Sequence, residues 1–165
     1  MRRLPGAPLL ALLALAGLAG ACSRPFVSPL LPPPYRDEVR APYDATWRAL
    51  IRALAAENVH LRTVAKDSGV IASDEWVSPI GVFADCGREG AALLEGQALV
   101  AFTIFVQPNG PGTTALQFNS RMRTQAHRRG DSGKLRAEPV YPCASTGRWE
   151  ANLLDSIRRL AADAE

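Results

Sequence analysis

The stretch that most constrains this chain runs from Ala98 to Arg123. Ala98-Leu-Val-Ala-Phe-Thr-Ile-Phe-Val106 is apolar at both odd and even positions. A strand of that kind belongs in the middle of a sheet with cover on each side. Pro108-Asn109-Gly110-Pro111-Gly112 is a turn, since proline and glycine supply the dihedrals that reversal needs. Thr113–Arg123 then alternates. Thr114, Leu116, Phe118 and Met122 face one way, and Gln117, Asn119, Arg121 and Arg123 the other, the period of a half-buried strand. A long central hairpin follows, and the rest of the fold has to be laid against it.

Two amphipathic helices supply the cover. Trp47, Leu50, Ile51 and Leu54 follow Asp44 at helical spacing, and Asp44 is a natural N-cap. Trp149, Leu153, Ile157 and Leu160 share one face of a second helix, expected from about Arg148 to Ala162, with Ser145, Thr146 or Gly147 capping it. Between helix and hairpin, Val59–Ala65 alternates, Lys66-Asp67-Ser68-Gly69 turns, and Val70–Trp76 returns. Residues 77–96 hold Pro79 and four glycines and are expected as loop, while Leu135–Tyr141 is an edge strand limited by Pro139. Strands in succession without intervening helices imply an α+β fold. The expectation is an antiparallel sheet of about four to five strands, with the N-terminal and C-terminal helices packed on one face.

The N-terminus carries the address. Arg2 and Arg3 precede an uncharged Leu/Ala-rich run over 9–18 that ends in small residues, the pattern of a secretory signal peptide. Ala19-Gly20-Ala21-Cys22 resembles the lipobox of bacterial lipoproteins. The resemblance implies removal of residues 1–21 and attachment of diacylglyceryl and N-acyl groups to Cys22. A plain signal peptide cut after Ala21 is the alternative. In such lipoproteins aspartate after the cysteine favours retention at the inner membrane; Ser23 stands there, so the resemblance implies the outer membrane with the domain in the periplasm, the outer face of the cytoplasmic membrane being the alternative. Residues 22–35 carry five prolines and read as an extended tether, with a proline-rich ligand as the alternative. Residues 36–165 form a single domain. Without the signal, 17 Lys+Arg face 16 Asp+Glu, so charge gives no argument for nucleic acid as a partner.

Tyr43-Asp-Ala-Thr-Trp-Arg-Ala-Leu50, Val59–Val64 and Asp67-Ser-Gly-Val-Ile71 resemble the helix-grip domains of BamC-type outer-membrane lipoproteins. That resemblance implies a binding or scaffolding role in envelope assemblies and carries over no catalytic residue.

With Cys22 lipidated, Cys86 and Cys143 remain as an even pair in an oxidising compartment, where a disulfide is expected. The rival, a cysteine nucleophile beside His60 or His127, needs a free thiol. Arg121, Arg123, Arg128, Arg129, Lys134 and Arg136 stand against Asp131 alone, a charge of +5 in sixteen residues. The segment is either a solvated hairpin tip or an anion-facing patch. The expectation is a non-enzymatic, membrane-anchored lipoprotein without cofactor that binds an envelope protein. The alternative is a carrier of a small apolar or lipidic ligand held near Trp47, Phe102 and Phe118.

Overall fold

A computed structural model describes residues 25–125, 127–129, 134–137 and 139–163. The chain is mixed α+β and built on the expected hairpin. Strand β9 (Gln97–Pro108) pairs antiparallel with β10 (Thr114–Thr124) along its whole length, from Thr114 opposite Pro108 to Thr124 opposite Ala98. Asn109 N–H closes the turn on the Thr113 carbonyl at 2.9 Å.

The main sheet has eight strands, and the expected strand count is corrected upward. The reason is length. β9 and β10 have 12 and 11 residues, so each outer edge accommodates two short partners. On β9 these are β4 (Val70–Ser73) and β5 (Trp76–Pro79). On β10 they are β2 (Tyr35–Val39) and β13 (Pro142–Ser145). β3 (Leu61–Ala65) adds to β4, and β6 (Ala84–Asp85) to β13. The stretch 77–96 is not loop throughout, because β5 and β6 join the sheet from it, although just over half of its residues lie outside strands. It also holds β7 (Arg88–Glu89) and β8 (Ala92–Leu93), which join β1 (Phe26–Val27) in a small separate sheet. A two-stranded ribbon, β11 (His127–Arg129) with β12 (Leu135–Ala137), stands apart.

Even-numbered residues of the hairpin, Phe102, Ile104, Val106, Leu116 and Phe118, share one core with the buried faces of α1 (Tyr43–Ala56) and α2 (Arg148–Ala162). The helices do not pack as two independent covers. Each finds its largest partner in the other, with α1 touching β9 and α2 touching β2. Leu50, Leu54, Leu153 and Ile157 are fully buried in this arrangement, each contributing about 1.5–3 kcal/mol of apolar burial. Cover on both faces of β9 is also corrected. Leu99, Thr103 and Phe105, on the odd side, are only half-buried.

Asp44 is not the N-cap. Pro42 occupies that position and its carbonyl accepts from Thr46 N–H, while Asp44 pairs with Lys66 at 2.7 Å. Gly147 takes the N-cap of α2 with φ 77°, the left-handed region open to glycine. Its N–H donates to Ser145 Oγ at 3.0 Å.

Candidate functional site

The first helix ends in a turn that opens a groove. Asn58 takes a left-handed φ of 54°, which asparagine tolerates. Val59 N–H then reaches back to the Leu54 carbonyl at 3.1 Å. His60 precedes β3, and its carbonyl accepts from Asp74 N–H at 3.0 Å. That bond brings the β4–β5 link, residues 74–75, alongside the end of α1. Trp149 enters from the first turn of α2. The result is a groove of about 430 Å³ lined by residues that include Glu57, His60, Trp76, Phe83, Trp149 and Asn152.

Its floor is aromatic and continuous with the core. Trp76 and Trp149 have centroids 5.7 Å apart, and Phe102 stacks under Trp149 at 4.4 Å. Trp149 is buried, whereas Trp76 and Phe83 are half-buried. Its rim is acidic. Arg62 meets Asp74 at 2.9 Å, and Arg123 grips Glu75 through both Nε (3.3 Å) and an Nη nitrogen (2.9 Å). Glu57 accepts the Trp149 indole N–H at 3.0 Å. Partial burial pushes the Glu57 carboxyl above its ordinary value and outweighs the opposing pull of that hydrogen bond. Such a groove can take an apolar or aromatic side chain against the indoles, with a basic group at the rim.

A second cavity, about 460 Å³, lies under Pro32–Pro34 and Tyr35 and reaches Phe118, Ser120 and Glu150. Glu150 is 2% exposed. One carboxylate oxygen accepts from Ser120 at 2.5 Å and from Ser145 at 2.7 Å. The other has no partner among the described residues. Ser145 thus relays Glu150 to the Gly147 N–H, an indirect capping box.

The expected site residues fall as follows. Cys22 lies outside the described residues. Cys86 and Cys143 have their sulfurs at bonding distance, 1.99 Å, so neither offers a free thiol to His60 or His127. Arg123 is engaged by Glu75, while Arg121 and Lys134 are exposed. Arg128, Arg129 and Arg136 occupy the β11–β12 ribbon. The six residues therefore divide between the main sheet and the ribbon. Trp47, Phe102 and Phe118 are packed into the core. Glu57 and Phe83 gave no signal in sequence, because the groove joins residues far apart in the chain.

Among the described residues, no cluster of three or more His, Cys, Asp or Glu side chains is placed to hold a metal ion. None of their helices is long and apolar enough to cross a membrane. No family model and no curated protein matches the chain. Among solved structures, the chain is similar to a DUF4468 family protein from Bacteroides ovatus, at 16% identity and a TM-score of 0.35, over 69% of this chain and 67% of that one.

Proposed function

We propose that the protein is a non-enzymatic lipoprotein, anchored through Cys22 at the outer membrane, whose periplasmic domain binds a segment of an envelope protein in the groove between Glu57, Trp76 and Trp149. The observation that carries this is the groove itself. Two indoles and Phe83 line a concavity beside both helices, and aromatic residues in a pocket with a polar rim are the usual anchors of protein recognition. The helix-grip resemblance points the same way.

The test is in-cell crosslinking of the tagged, lipidated protein, with mass spectrometry of what it captures. A reproducible envelope protein, lost on Trp76→Ala but kept on Arg48→Ala at the exposed side of α1, supports the reading. Capture that does not depend on Trp76 contradicts it. A co-purifying lipid in place of a protein favours the carrier alternative.

A further inference from the structure

Among the described residues, Glu150 is the one charged side chain buried in the core. A carboxylate taken out of water is stable when both oxygens are hydrogen-bonded and its charge is met. Half of that need is supplied. Ser120 and Ser145 donate to the same oxygen, and the first turn of α2 lends the partial positive charge of a helix start. The second oxygen is buried without a hydrogen-bond partner among the described residues. No arginine or lysine among them pairs with Glu150.

The cavity of about 460 Å³ meets Glu150 at this point. Its volume is that of a small-molecule site. Glu150, Ser120 and Ser145 make a polar end, while Phe118, Tyr35 and the Pro32–Pro34 run make apolar walls. Prolines suit such a wall. They carry no N–H, so a proline run bridges a cavity without leaving a donor unpaired. The run is held at its ends. Phe26 and Val27 pair with Glu89 and Arg88 on one side, and Tyr35 pairs with Phe118 on the other. Between them, no backbone hydrogen bond among the described residues fastens 28–34, and Pro32, Pro33 and Pro34 are exposed. The strap is therefore free to lift for a ligand and to close on its apolar body.

We propose that this cavity is a binding site for a small primary amine with an apolar body. The ammonium donates to the second oxygen of Glu150 and meets its charge. An ammonium has three donors and no acceptor, which matches an end built from a carboxylate and serine oxygens. The body lies between Phe118, Tyr35 and the proline strap. The site shares no lining residue with the groove at Trp76, and it stands or falls without that groove.

The test is an amide NMR titration of the purified protein at neutral pH with phenethylammonium, and with phenethyl alcohol as a neutral probe of similar shape. The ammonium is expected to give saturable shifts at the Ser120, Ser145 and Gly147 amides. The alcohol should bind at least about tenfold more weakly, because it lacks the charge that strengthens a hydrogen bond to a carboxylate. Glu150→Gln should weaken the ammonium by a similar factor, and Arg48→Ala, on the exposed side of α1, should leave it unchanged. Melting curves show whether each variant is folded. If Glu150→Gln does not fold, the comparison of ammonium with alcohol in the parent still decides. No saturable shift at these amides, equal binding of the two probes, or an ammonium affinity indifferent to a folded Glu150→Gln would each overturn the proposal.

Discussion

Trp149 donates its indole N–H to Glu57, 3.0 Å away and 92 residues earlier in the chain. This bond ties the end of α1 to the start of α2 at the mouth of the groove. It also holds the indole in the position that makes the groove's floor.

Glu57 therefore has a pH signature. Its folded-state carboxyl is raised by partial burial, so the folded state binds its proton more tightly than the unfolded chain does. The protonated form favours folding below the ordinary carboxylate range, and that advantage is lost as pH rises through the raised value. Glu57→Gln keeps a carbonyl acceptor for Trp149 and removes the charge. The variant should match the parent in thermal stability at acid pH and exceed it modestly at neutral pH. A gap that narrows with rising pH would contradict the cause assigned here.

The bond between Cys86 and Cys143 spans a sequence separation of 57 and links the β6–β7 junction to β13. The chain-entropy model gives about 4 kcal/mol for a loop of that size. Cys86→Ala with Cys143→Ala, or reduction of the parent, should lower the urea midpoint accordingly. An unchanged midpoint would mean that the pair contributes nothing to the fold.

Gly69 closes the β3–β4 turn with φ 66°, and its carbonyl accepts from Val106 N–H at 2.8 Å. A Cβ there would lie 2.1 Å from the Val106 carbonyl oxygen. Gly112, at φ 85°, has open space around it. Gly112→Ala should cost only the left-handed penalty of about 1–2 kcal/mol, and Gly69→Ala about 3 kcal/mol or more. Equal losses in chemical denaturation would show that the turn moves away from β9 without cost.

The hairpin, both helices and the Asp67-Ser68-Gly69 turn were legible in sequence because each is written in local periodicity or turn chemistry. The pairing of Cys86 with Cys143 followed from arithmetic on three cysteines once Cys22 was set aside. The sharing of strand edges was not legible. Trp76–Pro79 and Tyr35–Val39 are too short and irregular to announce strands, and they become so only because β9 and β10 outrun their other partners. The groove was hidden for a related reason. Trp76 reads in sequence only as the end of a strand, and Glu57, Phe83 and Trp149 meet it only in three dimensions. Nor does charge counting reveal that Glu75 engages Arg123 and takes it out of the basic segment.

The most direct measurement of the account is photo-crosslinking in living cells from two positions of the lipidated protein. One probe replaces Asn152, in the groove, and the other replaces Gln117, on β10 outside it. The account predicts a discrete protein adduct from position 152 that disappears with Trp76→Ala, and no such adduct from position 117. An adduct from 117 alone, or none from 152, would contradict the groove as the site where this protein meets its partner.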